Sequence, residues 1–376
     1  MEQKVKPNTT IEPLWAKYIH SKGAAKGLPI AGNFELTAKC NFNCKMCYVH
    51  ENSSEGMLTA EEWVAIGKRA VEKGMVFLLL TGGEPFLRPD FKEIYSAFIK
   101  MGLLISINTN ASLIDDDLFA FLVENPPMRM NISLYAADNA VYKELCGREA
   151  LDIVKKNIIR LHEAGISVKI NSSITPFNVS EIEAIYAFGE KMQIPVTTST
   201  YMYPPVRING KKYGESPARF DAEDAAAYLL KCREQYMTVE QLQNHAAYIN
   251  PDDELCEGDG QENMRCRAGK TAFWITWDGR MLPCGMFPDE GYSVRELGFD
   301  AAWEAVKEHT KGIMMPKECT NCPKKDSCPV CAAACIAETG RSDLRPEYIC
   351  TMTKTYDNLM CRKYGKSKSE ETSDET

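Results

Sequence analysis

The stretch Cys40-Asn-Phe-Asn-Cys44-Lys-Met-Cys47 places three cysteines within eight residues. It directly follows an apolar, β-rich run at 30–36, so the loop is expected at the C-terminal end of a strand, where α/β sheets and barrels place their active sites. Three thiolates can hold three irons of a 4Fe–4S cluster and leave the fourth iron open for a ligand. A structural zinc loop that lacks one ligand is the alternative for this pattern.

Outward from this loop, strand-like and helical stretches alternate along the chain. The strand-like runs are 30–36, 75–81, 103–108, 129–135, 166–174 and 195–201. The helical stretches between them are 59–73, 90–101, 115–123, 139–164 and 178–192. The repeat of about 30 residues predicts βαβ units and a parallel sheet. Six strands are too few for a closed eight-stranded barrel, so the pattern predicts an α/β fold that is either a partial barrel or an open sheet.

The rest of the chain divides by composition. Residues 1–29 form an N-terminal extension with a short helix near 12–20, and residues 30–204 form the alternating α/β domain. Residues 205–255 form a bridging segment that is helical over 221–246. A cysteine-rich domain follows at 256–362, with a hairpin at 271–282 that turns at Asp278-Gly279. The polar tail at 363–376 is expected to be disordered.

Composition narrows the class of protein. The chain has 376 residues, a formal net charge of −8 and 15 cysteines. An acidic chain disfavours a nucleic-acid partner, and no apolar run reaches the ~18 residues that span a bilayer. The N-terminus lacks the pattern of a secretory signal, so we expect a cytoplasmic protein with no membrane partner. In a reducing compartment, so many cysteines indicate metal or cluster ligation rather than disulfides.

The cysteine loop, with Tyr48 directly after its last cysteine, resembles the signature loop of the radical S-adenosylmethionine (SAM) superfamily. The resemblance implies a partial (β/α)6 TIM-like barrel and a 4Fe–4S cluster on Cys40, Cys44 and Cys47. In that family, the open iron chelates SAM, which is cleaved to methionine and a 5′-deoxyadenosyl radical that abstracts hydrogen from the substrate. An external electron donor, similar to flavodoxin or ferredoxin, is implied as a partner.

Further residues match the family at strand ends. Gly82, Gly83 and Glu84 follow the second strand and resemble its GGE motif, in which the glycines permit close backbone approach and the carboxylate receives the SAM ammonium. Ser133 resembles the residue that bonds the ribose hydroxyls. Asn110 lies on the same rim, although strand-end capping explains it as well. Arg148 lies where related enzymes carry an arginine facing the SAM carboxylate, although a solvated helix-end arginine is the commoner case.

The C-terminal cysteines resemble a SPASM domain, which in its fullest form binds two auxiliary 4Fe–4S clusters. By this resemblance, the distal cluster would be held by Cys319, Cys322, Cys328 and Cys350. The proximal cluster would be held by Cys266 and Cys284, with Cys256 as a candidate fourth ligand. The spacing departs from the usual C-x3-C, so the third proximal ligand is either Cys331 or Cys335. A pair of zinc knuckles on the two C-x2-C pairs is the alternative.

SPASM-bearing enzymes mostly modify peptides or proteins, so the expected reaction is crosslinking or oxidation of a ribosomal peptide or protein side chain. Gly285 follows Cys284 where sulfatase maturases carry an Asp base, which argues against that reaction. The first 29 residues are too few for a leader-binding module, so a separate leader-peptide recognition protein is an expected partner. The alternatives are a radical SAM dehydrogenase or epimerase acting on a small molecule, and a zinc-binding interaction protein. The sequence names no catalytic base.

Overall fold

A nine-stranded sheet organises the fold in a computed structural model, which describes residues 12–49, 55–207, 212–249, 262–288, 290–325 and 327–365. Its strands are β1 (Ala31–Glu35), β2 (Phe77–Thr81), β3 (Leu104–Thr109), β4 (Arg129–Ser133), β5 (Val168–Ser173), β6 (Val196–Ser199), β7 (Ala272–Ile275), β8 (Arg280–Leu282) and β9 (Tyr292–Ser293). They lie in the order β6-β5-β4-β3-β2-β1-β7-β8-β9.

The first six strands are all parallel, each beside the next in the chain. This confirms the predicted α/β partial barrel. The helices between these strands are α2 (Ala60–Glu72), α3 (Phe91–Lys100), α4 (Asp116–Glu124), α5 (Asn139–Cys146), α6 (Leu151–Glu163) and α7 (Ile182–Met192). A helix α1 (Leu14–Lys26) precedes the first strand, where the sequence predicted a shorter one.

Local signals set the helix starts. Thr59 and Glu62 form the predicted capping box of α2, in which each side chain accepts a hydrogen bond from the other residue's backbone N–H. Asp115 and Asp138 cap α4 and α5 in a similar way. Each cap satisfies backbone donors that a helix start would otherwise leave unpaired.

The predicted single helix over 139–164 is wrong, because two helices occupy it. Gly147 has a φ of 70°, a left-handed conformation that ends α5, and α6 begins at Leu151. The predicted helix over 221–246 is likewise divided into α8 (Ala222–Glu234) and α9 (Val239–Ala247). Thr238 starts the second of these with a new capping box.

The core lies between the sheet and the outer helices. Phe34 of β1 stacks on Trp63 of α2 with ring centroids 4.9 Å apart, and Phe98 of α3 meets it edge-on at 5.7 Å. All three side chains are fully buried. The opposite face of the strands carries polar residues, such as Asn131 and Ser133 on β4, which remain partly exposed inside the barrel.

The cysteine-rich region extends the same sheet. The predicted hairpin is confirmed as β7 and β8, with Gly279 in its turn at a φ of 83°. However, β7 also pairs in parallel with β1, which the sequence did not predict. The remaining helices are α10 (Val294–Lys311), α11 (Lys317–Thr320), α12 (Ala332–Thr339) and α13 (Glu347–Tyr364). The last of these packs along α8, and so joins the cysteine-rich region to the bridging segment.

Within the described part of the chain, none of the helices is both long enough and apolar enough to cross a membrane. The helix α13 continues to Tyr364, two residues into the segment predicted as a tail. The rest of that tail, 366–376, lies outside the described residues. The boundaries between the five predicted segments stay a prediction.

Candidate functional site

The cysteine loop sits on the end of helix α5. The backbone N–H of Asn43 donates to the carbonyl of Cys146 at 3.0 Å, and that of Lys45 donates to the carbonyl of Leu145, also at 3.0 Å. These carbonyls belong to the last turn of the helix and have no partner within it. The loop therefore caps α5, and this contact holds the middle of the three-cysteine segment in place.

The glycine pair after β2 packs directly against the chain entering the cysteine loop. Gly83 donates its N–H to the carbonyl of Thr37 at 2.8 Å, and Glu84 donates to that of Lys39 at the same distance. A Cβ atom on Gly83 would lie 2.3 Å from the Lys39 carbonyl oxygen, and one on Gly82 would lie 2.5 Å from that of Thr37. Only glycine fits at either position. Both residues thus place the cysteine loop against β2.

Glu84 is fully buried, and its carboxylate already accepts three hydrogen bonds. Its donors are the Thr109 hydroxyl at 2.8 Å, the Asn110 N–H at 2.7 Å and the Phe86 N–H at 3.3 Å. Burial raises the pKa of Glu84 to about 7 despite these donors. The carboxylate joins the ends of β2 and β3, and its predicted contact with the SAM ammonium stays a prediction.

Asn110 connects the third strand to the cysteine loop. Its amide nitrogen donates to the Asn41 side-chain oxygen at 2.9 Å and lies 4.0 Å from the Cys40 sulfur. Its amide oxygen accepts from the Ser112 hydroxyl at 2.6 Å. The Asn41 amide in turn donates to that hydroxyl at 2.8 Å. The structure therefore brings Asn110 to the cysteine loop, where this network holds the loop's first residues.

The other two predicted SAM contacts, Ser133 and Arg148, have different surroundings. Ser133 faces the inside of the barrel at the end of β4, beside Asn171 of β5. The hydroxyls of Ser133 and Tyr135 lie close enough to form a hydrogen bond. This hydrogen bond partly offsets the rise that burial causes in the pKa of Tyr135. Arg148 is exposed, and its guanidinium donates to the carbonyl of Asn41 at 3.3 Å. It thus touches the cysteine loop from outside the barrel.

Burial favours the protonated form of all three thiols of the loop. Burial raises the pKa of Cys40 to about 12 and that of Cys47 to about 11, and the neighbouring loop thiols add to both shifts. A hydrogen bond with Cys146, together with burial, raises the pKa of Cys44. Thiolates are the ligands of iron, so cluster binding must release these protons. The clustering of the thiols fits a shared iron–sulfur group.

The first group of C-terminal cysteines contains Cys266, Cys284 and Cys331, which we call the proximal group. Burial, and then the nearby thiols of Cys331 and Cys266, raise the pKa of Cys284 to about 11. The sulfur of Cys331 caps helix α12 by accepting the N–H of Ala334 at 3.4 Å. A helix N-terminus stabilises a thiolate, which suits a cluster ligand. Cys256 lies outside the described residues.

The second group contains Cys319, Cys322, Cys328 and Cys350, which we call the distal group. Burial raises the pKa of Cys319 to about 11, and the thiols of Cys328 and Cys322 add to the rise. Burial raises that of Cys350 to about 12, again with Cys328 and then Cys319 adding to the shift. These contacts bring together the four cysteines that the resemblance assigned to the distal cluster.

Cys335 differs from both groups because it is fully buried in the core formed by α12. Burial raises its pKa, and thiols of both groups, Cys319 and Cys331 first, lie near enough to contribute. Cys331 is partly exposed at the start of the helix, next to the other proximal thiols. The geometry favours Cys331 over Cys335 as the third proximal ligand, an alternative that the spacing had left open.

Sequence reasoning missed a buried ion pair that lies between the cysteine loop and the proximal group. Glu35, at the end of β1, accepts two hydrogen bonds from Arg207, at 2.7 and 2.8 Å. Arg207 also donates to the carbonyl of Gly285, next to Cys284, at 2.9 Å. An acidic residue at the end of a strand was the available signal, and its partner lies 172 positions away.

Gly285 has a steric reason to be glycine. A Cβ atom there would lie 2.7 Å from the indole of Trp274 on β7. The indole therefore occupies the space that an Asp side chain would need at this position. The contact with Trp274 thus disfavours an Asp at position 285, where sulfatase maturases carry their base by the earlier resemblance.

No single-ion site is preformed in the described ranges, since no three His, Cys, Asp or Glu side chains there converge closely enough to hold one metal ion. The cysteine groups are instead sets of neighbouring thiols on separate elements. A 4Fe–4S cluster is larger than a single ion, so it could bind thiols that are too far apart to share one metal ion.

Comparison with known proteins identifies the domain. Residues 34–189 match the Radical SAM superfamily, so this part of the chain is a radical SAM domain. That family uses a 4Fe–4S cluster and SAM, which are therefore the cofactors of the domain. The match spans β1 to α7 and contains the cysteine loop and the Gly82-Gly83 pair.

Two curated relatives are similar to the chain. The AdoMet-dependent heme synthase of Methanosarcina barkeri (strain Fusaro / DSM 804) is 26% identical over 327 residues, which cover 82% of this chain and 92% of that protein. The probable GTP 3′,8-cyclase of Sulfurisphaera tokodaii is 35% identical over 157 residues. That match covers 41% of this chain and only 50% of the cyclase.

The fold is also similar to a solved structure, that of Streptococcus suis SuiB bound to precursor peptide SuiA. The TM-score is 0.64 at 18% identity, and the match covers 92% of this chain and 83% of SuiB. The likeness covers most of the chain and so extends in fold beyond the radical SAM domain.

Proposed function

We propose that this chain cleaves SAM reductively and uses the resulting 5′-deoxyadenosyl radical to abstract hydrogen from a peptide or protein side chain. The observation that carries the proposal is the cysteine loop at the end of β1, which is fixed by α5 on one side and by Gly83 on the other. A cluster on Cys40, Cys44 and Cys47 would supply the electron that breaks the sulfonium bond of SAM.

The residues around the loop support roles in holding SAM. Gly82 and Gly83 bring a bare backbone to the loop, and Asn110 and Ser133 present polar groups at neighbouring strand ends. Glu84 keeps these strand ends together, and Arg148 supports the loop from outside. We assign all six to the SAM site, with a flavodoxin- or ferredoxin-like protein as the electron donor.

Two auxiliary 4Fe–4S clusters are proposed for the C-terminal region. The proximal group and the distal group each bring thiols from separate elements together, and the proximal group adjoins the Glu35–Arg207 pair. A cluster near the substrate can accept the electron that remains after hydrogen abstraction and proton loss. Oxidation or crosslinking of a side chain requires such an acceptor.

The peptide substrate is supported by the likeness to SuiB, which was solved with a precursor peptide. A separate leader-recognition protein remains part of this proposal. A second candidate is a small-molecule substrate related to heme. It is favoured by the similarity to the AdoMet-dependent heme synthase of Methanosarcina barkeri, of which the match covers 92%. Both candidates share the same radical chemistry.

Anaerobic reconstitution with SAM and reductant tests the chemistry. The chain should bind about 12 irons, as three clusters require, and should form 5′-deoxyadenosine. Replacing Cys40, Cys44 and Cys47 together with Ala should remove about four irons and abolish the product. Cys361→Ala, outside all three groups, is the matched control. Undiminished 5′-deoxyadenosine from the triple variant would overturn the proposal.

Substrate assays with deuterium labels separate the two candidates. A short Cys- or Thr-rich peptide, deuterated at its side chains, should transfer deuterium into 5′-deoxyadenosine and change mass. A deuterated heme precursor should transfer none. Transfer from the heme precursor alone would contradict the peptide assignment and support the second candidate.

A further inference from the structure

Tyr203 lies against the proximal cysteine group. Its hydroxyl oxygen is 3.6 Å from the sulfur of Cys331. The thiols of Cys284 and Cys266 are close enough to act on the same phenol. The tyrosine belongs to the segment after β6, which crosses from the barrel to the cysteine-rich region four residues before Arg207. The Tyr203 hydroxyl thus contacts one proximal thiol and lies near the other two.

The sulfur of Cys331 has two hydrogen-bonding neighbours. The first is the N–H of Ala334 at the start of α12, at 3.4 Å, and the second is the Tyr203 hydroxyl. A cysteine that binds iron is a thiolate, which accepts hydrogen bonds and cannot donate one. When Cys331 is a ligand, the Tyr203 hydroxyl must therefore be the donor.

We propose that Tyr203 is a positioning residue that donates a hydrogen bond to the Cys331 thiolate and thereby raises the reduction potential of the proximal auxiliary cluster. Hydrogen bonds to cluster sulfurs are among the factors that set cluster potentials, because a donor offsets the negative charge added on reduction. A higher potential makes this cluster a better acceptor of the substrate's electron. The inference rests on the auxiliary-cluster part of the proposed function.

Tyr201 provides a matched control two residues away. Its ring packs against that of Tyr203 at 4.8 Å, but its hydroxyl donates to the carboxylate of Glu338 at 2.6 Å rather than to a sulfur. Tyr201→Phe and Tyr203→Phe each remove one hydroxyl from the same aromatic pair. Only the second removes a donor from a cysteine.

The experiment is a redox titration of the reconstituted, full-length protein, followed by electron paramagnetic resonance. The signal that is lost in Cys331→Ala identifies the proximal cluster. In Tyr203→Phe, that signal should titrate at a lower potential, with a roughly tenfold change in the ratio of oxidised to reduced cluster, or about 59 mV for one electron. Iron content should stay unchanged, and Tyr201→Phe should titrate like the wild type.

An unchanged potential in Tyr203→Phe, or an equal shift in Tyr201→Phe, overturns the role of Tyr203 and leaves the clusters in place. Loss of about four irons in Tyr203→Phe also overturns it, because the tyrosine would then be needed for ligation. A chain that binds only about four irons in total overturns the auxiliary clusters themselves.

If Tyr203→Phe fails to fold, 3-fluorotyrosine at position 203 provides a second test. Its more acidic hydroxyl is a stronger hydrogen-bond donor, so the potential of the proximal cluster should rise. An unchanged or lower potential overturns the proposal.

Discussion

Glu35 and Arg207 form a two-pronged ion pair that joins the first strand of the barrel to the bridging segment. The two hydrogen bonds measure 2.7 and 2.8 Å, and the Glu35 side chain is only 1% exposed. Arg207 also holds the carbonyl of Gly285, directly after Cys284. Because β1 leads into the cysteine loop, the pair ties the proposed SAM site to the proximal group.

Arg207→Met should destabilise the protein severely, because it leaves the Glu35 carboxylate buried without its partner. Breaking a buried pair in this way costs about 3–5 kcal/mol. Urea unfolding of the anaerobic protein measures the loss, and Glu35→Gln combined with Arg207→Met should recover part of it. Arg341→Met, which breaks the exposed pair with Asp343, is the control and should leave the unfolding transition nearly unchanged, because water screens exposed ion pairs. Equal losses in the two single variants would show that burial of the pair is unimportant.

Gly83→Ala should impair cluster loading, because the new Cβ would lie 2.3 Å from the Lys39 carbonyl oxygen. That contact is with backbone, so the chain entering the cysteine loop must move. We expect iron content and SAM binding to fall, measured by iron assay and equilibrium dialysis. Gly312→Ala is the control, since its Cβ would approach nothing closer than 3.5 Å at a φ of −83°. Normal loading of Gly83→Ala would show that the close approach is not required.

Glu84 should make the protein without its clusters less stable as pH rises. Its pKa in the folded state is about 7, above the ordinary value of 4.5, so the folded chain binds the proton more tightly than the unfolded chain. Its contribution is therefore complete below about pH 4.5 and is lost as pH rises through about 7, by at most about 3 kcal/mol. Unfolding of wild type and Glu84→Gln at pH 5 and 7.5 measures this difference. Identical pH dependence in the two proteins would rule out the shift.

Cys331→Ala and Cys335→Ala should have different effects on iron content. Cys331 lies with Cys284 and Cys266, so its loss should disrupt the proximal cluster and remove up to about four irons. Cys335 is fully buried in the α12 core, so its loss should lower stability by about 1–3 kcal/mol and leave iron content intact. Iron assay and urea unfolding of both variants separate these effects. The reverse result would make Cys335 the ligand.

Much of the barrel could be predicted because its signals are local. The six strands and the capping box at Thr59 follow from periodicity and from residues three apart. The break at Gly147 escaped the pattern, because the apolar spacing continues across it while the backbone turns left-handed. The helices α10 to α13 were also not predicted from the sequence.

The candidate site was predictable where its residues lie in one short motif. The cysteine loop and the Gly82-Gly83 pair are such motifs, and the pair packs against the residues that lead into the loop. The pairing of β7 with β1 and the contact of Tyr203 with Cys331 join residues far apart in the chain. No spacing rule predicts such contacts, because they depend on how the whole chain packs.

By itself, the sequence determined the α/β class, the position of the cysteine loop at a strand end and the existence of two further sets of cysteines. These properties depend on near neighbours, which share a helix turn, a strand or a loop whatever the rest of the chain does. Only the tertiary structure shows that Cys331 lies near Cys284 while Cys335 is buried in the α12 core, and that Glu35 meets Arg207. Those arrangements depend on burial and on long-range packing, which bring together side chains that the sequence leaves far apart.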